Sequence, residues 1–375
     1  MASRRISFLL GSFQMGGIER MCLNLSAGLS SRGYEVEIVA LDTEGPLLED
    51  VAEDVGIVQL SDNDSWLPGV FSKVGPLADY FDQRRPAVCL SENSHLNLVN
   101  ILACLQSNSQ TNSVVRENGL TPGGAFGTGR YWRERATQLL ATGLYRRADC
   151  VVPVSQGVSR ELVETIRLPA DRLNQIYNPI LTDDINDRAT ESVDHNWFTD
   201  SSIDVVLSVG RLEPAKDYQT LIEAFARVHA DAPNTRLVIL GEGSERDALE
   251  RTAANLGVTD DVWIPGTVAN PYKYMVQSSM FVLSSVSEGL PSVLVEALAC
   301  ECPVVATDCP HGPAEILNGG RYGRLVDPGD VAGLAHAILQ TRNSPVGPDN
   351  VSTCVDRFTL GSVLDEYEHL ITRHF

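Results

Sequence analysis

The chain has 375 residues, of which 43% are hydrophobic and 21% charged, so it has the composition of a globular protein and enough length for two domains. A net charge of -20 argues against a nucleic-acid partner, because proteins that bind nucleic acid carry basic patches. No apolar run is long enough to cross a membrane, and the N-terminus lacks the long apolar core of a signal peptide. We therefore expect a cytoplasmic protein.

Strands and helices alternate along the first half of the chain. Short apolar runs typical of buried parallel strands occur at 6–10, 36–41, 56–60, 87–90, 114–115 and 150–154. The pattern between the first two runs predicts a helix over 18–32, with Gly33 as its stop. Repeated strand–helix units predict an α/β fold with a parallel, doubly wound sheet.

Two adjacent glycines, Gly16 and Gly17, lie in the loop GSFQMGGIER at the start of this helix. The loop matches neither the dinucleotide fingerprint nor the phosphate loop of nucleoside triphosphatases. Adjacent glycines allow the backbone to approach a phosphate or a sugar closely, and they also suit a simple tight turn. The residues alone leave both interpretations open.

Two groups of residues have the chemistry of metal ligands, and we assign neither to a metal. The run SDNDSW contains an Asp-x-Asp pattern at 62–64, but Asp and Asn are ordinary turn residues in such a polar run. The other group is Cys300, Cys302, Cys309 and His311, whose first pair lacks the gap usual in zinc sites. We therefore expect no metal site.

A glycine-rich segment at 123–129 precedes a predicted helix over 130–147, which is rich in arginine and contains Tyr131, Trp132 and Tyr145. In so acidic a chain, these residues suit contact with an anionic membrane surface or with a lipid-linked phosphate. They also suit an ordinary solvated helix. Peripheral membrane contact through 130–147 is therefore a hypothesis.

The polar stretch 182–202 is interpreted as a linker between two domains, 1–180 and 181–359. After it, apolar runs typical of strands occur again at 205–209, 237–240, 262–264, 281–283 and 303–306. The last segment, 360–375, has a helical pattern. A second doubly wound sheet is therefore predicted in the second half of the chain.

The most informative stretch is FVLSSVSEGLPSVLVEALACECPVV, residues 281–305, which predicts a strand, a turn, a helix and a strand. Ser292 is a good N-cap for that helix, whose unpaired N–H groups suit a phosphate. Glu288 and Glu296 frame the helix start. They fit sugar hydroxyls, a ribose diol or a developing cation, and they also fit a solvated carboxylate and a first-turn glutamate.

A pair of cations follows the first strand of the second half. In GRLEPAKD, Arg211 and Lys216 lie in the loop after the strand, where a guanidinium fork and an ammonium charge can hold a diphosphate. Lys216 is one of only three lysines in the chain. The alternative interpretation is that both side chains are simply solvated, as surface arginines and lysines usually are.

Glu288 and Glu296, with seven residues between them, resemble the E-x7-E signature of the retaining GT-B glycosyltransferases of group 1, family 4. GRLEPAKD, LGEGSERDALE, GTVANPYKYM and TDCPHGPAEIL are similar to further segments of that family. The resemblance implies two doubly wound, Rossmann-like domains facing across a cleft. The first, 1–180, would lie on the acceptor side and receive the final helix, and the second, 181–359, would bind the nucleotide sugar.

The resemblance also implies roles for individual side chains. Arg211 and Lys216 would neutralise the donor diphosphate electrostatically, as a metal ion does elsewhere. Glu296 would bind the ribose of the nucleotide, and Glu288 would contact the transferred sugar. Glu288, Arg211 and Lys216 are therefore the expected catalytic residues.

Further donor contacts are implied for the backbone. N–H groups near Gly289 and Leu290 would meet the phosphates, and the loop with Gly16 and Gly17 would face the donor. The strand and loop at 264–272 would border the base.

Two departures from the family pattern affect the site. Many relatives carry a histidine near the sugar at the end of the fifth strand, where this chain reads REN at 116–118. His95 and Asn97, which resemble a His-x-Asn of some relatives, and Asn118 are therefore weaker candidates for sugar or acceptor contacts. Glu301 replaces a usual glycine, so a positive φ there would strain the backbone.

The implied function is transfer of a hexose from a nucleotide-diphosphate sugar to a hydroxyl of a glycan or lipid-linked acceptor, with retained anomeric configuration. The product would be a cell-surface polysaccharide or glycoconjugate. No metal and no cofactor is expected, and the enzyme would lie in the cytoplasm, peripherally at the inner face of the cell membrane. The open alternatives are a sugar-nucleotide epimerase, a phosphorylase on the same scaffold, and a non-catalytic nucleotide-sugar-binding protein.

Overall fold

A computed structural model describes residues 5–60, 69–119, 143–182, 185–346 and 354–374. The chain divides into two compact units. Unit 1 is formed by the described residues up to Pro179 together with the segment from Thr359 onward, and unit 2 is formed by Ile180–Phe358. Each unit contains a parallel sheet with helices packed on it, which confirms the predicted α/β fold.

The sheet of unit 1 has six described strands in the order β3-β2-β1-β4-β5-β6, and all neighbouring strands are parallel. The strands are β1 (Arg5–Leu10), β2 (Glu35–Ala40), β3 (Gly56–Gln59), β4 (Val88–Glu92), β5 (Asn112–Glu117) and β6 (Cys150–Pro153). The strands predicted from apolar runs are all present, with small shifts at their ends. Most of them are buried on both faces of the sheet, which is why their apolar runs are continuous.

Helices cover both faces of this sheet. They are α1 (Gly17–Ser31), α2 (Val74–Arg84), α3 (Ser94–Gln106) and α4 (Gln156–Ile166). Successive residues of β1 point to opposite faces, so Phe8 belongs to the core cluster under α1, whereas Leu9 belongs to the cluster under α2 and α3. Gly33 (φ 87°) ends α1 as predicted, because its N–H and that of Tyr34 bond back to carbonyls of the last turn.

A C-terminal helix, Leu360–His374, packs on α1 within unit 1. The two helices touch at Gly28, where a Cβ atom would overlap the end of the Leu364 side chain, so glycine favours this close approach. Val363 and Tyr367 are fully buried in the same core as α1 and β1. Segments from the two ends of the chain therefore complete one hydrophobic core.

The sheet of unit 2 also has six described parallel strands, in the order β12-β11-β10-β7-β8-β9. The strands are β7 (Asp204–Val209), β8 (Thr235–Leu240), β9 (Val262–Gly266), β10 (Met280–Leu283), β11 (Val304–Thr307) and β12 (Arg324–Val326). The sequence pattern did not predict β12, because a half-buried edge strand of 3 residues carries too little apolar periodicity.

The helices of unit 2 are α5 (Ile185–Ala189), α6 (Asn196–Thr199), α7 (Tyr218–Asp231), α8 (Arg246–Asn255), α9 (Tyr272–Gln277), α10 (Ser292–Ala299), α11 (Pro313–Ile316) and α12 (Val331–Asn343). The first two lie in the stretch 182–202, which its polarity predicts to be a linker. That prediction needs correction, because Ile185 and Val193 are buried and the His195 ring stacks on Trp263 with 4.1 Å between centroids. These contacts make the stretch part of unit 2.

The strand order reverses between β1 and β4 in unit 1 and between β7 and β10 in unit 2. At such a reversal, the connections after the two strands leave in opposite directions and open a crevice at the carboxyl edge of the sheet. Open α/β sheets bind their ligands at this point. The residues that follow β1, β4, β7 and β10 are therefore the expected site-forming residues of each unit.

Helix α10 ends in a Schellman motif at Glu301. The Glu301 N–H donates to the Leu298 carbonyl at 2.9 Å, and the Cys302 N–H donates to the Ala297 carbonyl at 3.0 Å. This motif needs a left-handed residue, and Glu301 has φ 56°. Glu301, which replaces a usual glycine of the family pattern, therefore does have a positive φ. A residue with a Cβ atom is strained in this conformation.

Replacing Glu301 by glycine is expected to raise the free energy of unfolding by about 1 kcal/mol, because glycine adopts the left-handed conformation without the Cβ penalty. The matched control is Arg251→Gly in the interior of α8, an exposed position, which should lower the free energy of unfolding by about 1 kcal/mol. Urea unfolding of both variants measures the two effects. Destabilisation by both substitutions would show that Glu301 is not strained.

Candidate functional site

In unit 2, the loops that follow β7 and β10 bring Lys216 and Glu288 together. Lys216 Nζ lies 2.6 Å from Glu288 Oε1, and both side chains are largely shielded from solvent. Lys216 ends a short 3-10 helix, Pro214–Lys216, and Asp217 (φ 46°) then caps α7 by accepting a hydrogen bond from the Thr220 N–H at 3.4 Å. The left-handed turn at Asp217 thus fixes where the Lys216 side chain leaves the backbone.

Arg211 lies in the same loop after β7, and the loop after β8 holds that loop in place. A Cβ atom on Gly241 would overlap the Gly210 carbonyl, so the two loops pack backbone against backbone. The Leu212 N–H donates to the Glu242 carbonyl at 2.8 Å. Arg211 itself is exposed, and no ion pair joins it to another residue in the described part of the chain. Its guanidinium can therefore meet an anion.

Two serines that follow β10 contact the residues of this ion pair. The Ser285 hydroxyl donates to Glu288 Oε1 at 2.6 Å, and the Ser284 hydroxyl donates to the Lys216 carbonyl at 2.7 Å. Both serines are buried. Sequence reasoning missed these contacts, although a Ser-Ser pair at the end of an apolar strand is a visible signal.

Helix α10 begins at Ser292 and its N-cap is Pro291, so the prediction of Ser292 as the capping residue is wrong. No side chain in the described residues caps this helix start. The loop after β11 presses on it, because a Cβ atom on Gly312 would overlap the Pro291 ring. Just before the helix, Gly289 is partly exposed and Leu290 is buried. A helix start without a side-chain cap suits an anion.

Glu296 lies on α10 beside Tyr272 of α9, whose hydroxyl is 3.5 Å from Glu296 Oε1. Burial raises the pKa of the Glu296 carboxyl to about 7, although the Tyr272 hydrogen bond and the positive charge of Arg188 act in the opposite direction. Arg188 comes from α5 and lies over the Tyr272 ring, 4.8 Å from its centroid. Part of Glu296 remains accessible to solvent, so a ligand can reach it. Sequence reasoning did not connect Arg188 with this glutamate.

Within the described parts of the chain, no group of three or more His, Cys, Asp or Glu side chains is arranged to hold a metal ion. Burial raises the pKa of the thiols of Cys300, Cys302 and Cys309 well above its ordinary value. Protonated thiols are poor nucleophiles. The Asp-x-Asp pattern at 62–64 lies outside the described residues.

In unit 1, the loop after β1 leads to Gly16, the N-cap of α1, and to Gly17, its first residue. Both glycines are exposed. A Cβ atom on Gly16 would overlap the Glu19 carboxylate, whereas one on Gly17 would meet no atom of the described residues. Phe13 anchors the start of the loop, since it is fully buried. The glycine loop is therefore open to solvent at the carboxyl edge of this sheet.

His95 is exposed at the start of α3, where the Asn93 side chain accepts a hydrogen bond from the His95 N–H at 3.2 Å. Asn97, by contrast, is fully buried. Its amide donates to the Arg116 carbonyl at 2.7 Å and to the Tyr145 hydroxyl at 3.0 Å. These bonds occupy the Asn97 amide inside the core, which corrects its predicted role as a sugar contact.

A buried charge network joins the ends of β4 and β5. Glu92 and Arg116 are both buried, and Glu92 Oε2 lies 3.3 Å from Arg116 Nε. The Arg116 guanidinium also donates to the Tyr367 hydroxyl of the C-terminal helix and to the Asn178 side chain. Asn118, which is partly exposed, donates its amide to Glu92 Oε1 at 2.7 Å. The end of β5 therefore carries a buried structural cation with a polar amide beside it.

The segment 130–147, predicted to contact a membrane, is described only from residue 143 onward. Tyr145 is buried and its hydroxyl donates to Glu117 Oε2 at 2.5 Å, so the hypothesis that Tyr145 contributes to a membrane-facing surface is wrong. Arg146 and Arg147 are exposed. None of the helices in the described part of the chain combines enough length with enough apolar character to cross a bilayer.

Two family models match consecutive parts of the chain. The model described as Glycosyltransferase Family 4 matches residues 15–184, and the model described as Glycosyl transferases group 1 matches residues 190–351. The first match covers most of unit 1, and the second covers most of unit 2.

Two curated glycosyltransferases match about half of the chain. The N-acetylgalactosamine-N,N'-diacetylbacillosaminyl-diphospho-undecaprenol 4-alpha-N-acetylgalactosaminyltransferase of Campylobacter jejuni is 37% identical over 190 residues, which are 51% of this chain and 50% of that protein. The lipopolysaccharide 1,6-galactosyltransferase of Escherichia coli is 28% identical over 193 residues, which are 50% of this chain and 50% of that protein. The chain therefore spans about half the length of these curated relatives.

Among solved structures, Anabaena Alr3699/HepE in complex with UDP has a TM-score of 0.80 at 20% sequence identity, and the match covers 98% of this chain and 100% of that chain. At this level of identity the likeness shows the fold, which is the GT-B fold with two Rossmann-like domains. Because the two glycosyltransferase family models together match most of the chain, the chain belongs to the group 1 glycosyltransferases.

Proposed function

We propose that the chain is a retaining glycosyltransferase that moves a hexose from a nucleoside-diphosphate donor to a hydroxyl of a glycan or lipid-linked acceptor. Its product would be a cell-surface polysaccharide or glycoconjugate. The observation that carries this proposal is the ion pair between Lys216 and Glu288 at the strand reversal of unit 2. The acceptor class is supported by relatives that are named for diphospho-undecaprenol and lipopolysaccharide substrates.

Unit 2 offers three groups that suit a donor diphosphate. Arg211 is exposed, Lys216 carries an ammonium group, and the start of α10 has no side-chain cap from the described residues. Cations and aligned N–H dipoles stabilise the negative charge that develops on a departing diphosphate. In this proposal the three groups, with the backbone near Gly289 and Leu290, neutralise the diphosphate, and the reaction uses neither a metal ion nor another cofactor.

Glu288 and Glu296 have the chemistry to bind the two sugars that flank the diphosphate, which are the transferred sugar and the ribose. A carboxylate accepts hydrogen bonds from hydroxyl groups and stabilises a positive charge that develops nearby. Glu296 would hold the ribose of the nucleotide, with Tyr272 and Arg188 as its neighbours. Glu288 would contact the transferred sugar, with its position set by Lys216.

Retention of configuration follows if the acceptor hydroxyl attacks from the face that the diphosphate leaves. The bond between the anomeric carbon and the diphosphate oxygen breaks, a bond from the anomeric carbon to the acceptor oxygen forms, and the hydroxyl proton passes to the leaving diphosphate. The transition state has oxocarbenium character. A carboxylate beside the sugar and cations beside the diphosphate therefore stabilise the two opposite charges that develop.

We assign acceptor binding to the carboxyl edge of unit 1. His95 is exposed there and Asn118 is partly exposed, whereas the exposed loop with Gly16 and Gly17 would face the donor. Asn97 is excluded from this set, because its amide is bound within the core. The exposed groups offer hydrogen bonds to hydroxyls of the acceptor or of the transferred sugar. A lipid-linked acceptor would place the protein at the cytoplasmic face of the cell membrane.

The proposal predicts nucleotide binding followed by acceptor-dependent turnover. In a thermal-shift screen with UDP, GDP and ADP, one diphosphate should raise the melting temperature by mass action. Its release from UDP-glucose, UDP-N-acetylglucosamine, GDP-mannose or ADP-glucose should increase when polyprenyl-diphosphate-linked or free oligosaccharides are added. Isomerisation without an acceptor would indicate an epimerase, phosphate-dependent release would indicate a phosphorylase, and binding without turnover would indicate a non-catalytic protein.

Glu288→Gln is expected to lower kcat by about 100-fold or more, because a neutral amide cannot stabilise the positive charge that develops on the sugar. The affinity for the nucleoside diphosphate should not weaken, since that ligand lacks the transferred sugar and Lys216 loses a competing partner. The matched control is Glu250→Gln, an exposed glutamate of α8, which should leave both quantities unchanged. Steady-state kinetics and calorimetric titration measure them. A variant with the kcat of the parent would remove Glu288 from the mechanism.

Nucleotide-sugar affinity is expected to weaken about tenfold between pH 8 and pH 6, since only the ionised Glu296 carboxylate accepts both hydrogen bonds of a ribose diol. Burial raises the pKa of this carboxyl to about 7, so it is ionised at pH 8 and mostly protonated at pH 6. Calorimetric titration with the nucleotide sugar that binds in the screen measures the effect, because its esterified diphosphate does not titrate in this range. Glu296→Gln should abolish the pH dependence, and its persistence would assign the effect to another group.

A further inference from the structure

Two successive serines after β10 hold the two partners of the Lys216–Glu288 ion pair. The Ser284 hydroxyl binds the Lys216 backbone, and the Ser285 hydroxyl binds the Glu288 carboxylate. We propose that Ser285 is a positioning residue, which keeps the Glu288 carboxylate directed at the transferred sugar while Lys216 engages the diphosphate. This inference rests on the glycosyl transfer proposed above.

Ser285 is itself held firmly by its surroundings. Its exposed fraction is 0%, and its carbonyl accepts a hydrogen bond from the Thr307 hydroxyl of β11 at 2.5 Å. Ser285 Oγ lies 2.6 Å from Glu288 Oε1, a distance typical of a hydroxyl that donates to a carboxylate. A buried hydroxyl without a partner is unfavourable, so the serine orientation and the carboxylate orientation are coupled.

The two carboxylate oxygens of Glu288 have different surroundings. Oε1 accepts hydrogen bonds from both Ser285 and Lys216, each at 2.6 Å. No residue in the described part of the chain donates a hydrogen bond to Oε2. One oxygen is therefore anchored by the protein, and the other is left for a ligand hydroxyl or for a developing positive charge.

Lys216 has two competing partners in the proposed reaction. A diphosphate carries more negative charge than a carboxylate, so a bound donor attracts the ammonium group away from Glu288. Glu288 Oε1 then loses one of its two donors. The Ser285 hydroxyl is neutral and buried, and a diphosphate does not compete for it. The serine is therefore the contact that holds Glu288 in place at the stage when the sugar is transferred.

Kinetics of Ser285→Ala test this role, with the donor of the screen above that turns over fastest. The kcat should fall about 10- to 100-fold, which is the range for losing a hydrogen bond to a charged group. The dissociation constant of the matching nucleoside diphosphate should change by less than about twofold, because Ser285 acts on the sugar side of the site. The matched control is Ser278→Ala, which removes a buried hydroxyl of unit 2 that donates to the Tyr274 carbonyl at 2.6 Å. Its kcat should stay within about twofold of the parent value.

A double-variant cycle separates positioning from a general structural effect. In the Glu288→Ala background, Ser285→Ala should lower kcat by no more than about twofold, since the hydroxyl no longer has a carboxylate to hold. Equal losses in both backgrounds would overturn the proposal. A Ser285→Ala protein with the kcat of the parent would overturn it as well.

A different result would show that the proposed glycosyl transfer is wrong. In that case the parent protein turns over none of the donors, and the role of Ser285 falls with the function. If Ser285→Ala does not fold, Ser285→Cys takes its place, because a thiol fills the position but is a much weaker donor. Reduced kcat with unchanged diphosphate affinity supports the proposal in that variant, and parental kcat overturns it.

Discussion

The ion pair between Lys216 and Glu288 is the interaction on which the site of unit 2 depends. The two residues are 72 positions apart and meet because the strand order reverses between β7 and β10. A partly buried ion pair adds little to stability once the cost of desolvation is subtracted. Its value lies in the orientation that each charge imposes on the other before a ligand arrives.

The surroundings of this pair are built from backbone and short side chains rather than from long flexible ones. Gly241 packs on the Gly210 carbonyl, and the left-handed Asp217 follows Lys216 in the loop after β7. Two serine hydroxyls donate hydrogen bonds to the Lys216 carbonyl and to the Glu288 carboxylate. Short side chains such as serine lose less rotamer freedom than long ones when they are fixed, although the glycines and the left-handed Asp217 cost backbone free energy. The charged groups of the site are therefore held by a rigid surrounding, which is the requirement for electrostatic preorganisation.

The architecture could be predicted from the sequence where a physical signal is local. Buried parallel strands appear as continuous apolar runs. The ends of two helices need a residue in the left-handed conformation, and the sequence marks these positions by Gly33 and by Glu301, which stands where the family pattern has glycine. Elements that depend on packing escaped prediction. The stretch with Ile185 and Val193 is polar on average, and only its few buried side chains attach it to unit 2.

The site residues also divide into those that the sequence singled out and those whose contacts appear only in the folded protein. Glu288, Glu296 and Lys216 lie in segments with a recognisable spacing, and sequence reasoning singled them out. The contact of Glu296 with Tyr272 joins residues that are close only in the folded unit, so no spacing announces it. Asn97 shows the opposite error: an amide near a helix start has the chemistry of a ligand-binding group, yet the core of unit 1 uses it.

The bond between Arg116 and Tyr367 joins residues 251 positions apart, and it sets an order of events during translation. Every strand described in unit 2 leaves the ribosome before the C-terminal helix of unit 1 does. Until that helix emerges, the α1 surface around Gly28 stays uncovered and the Arg116 guanidinium lacks its tyrosine partner. The core of unit 1 therefore stays incomplete until the described strands of unit 2 have been synthesised, unlike that of a domain whose residues are contiguous and which folds as it emerges.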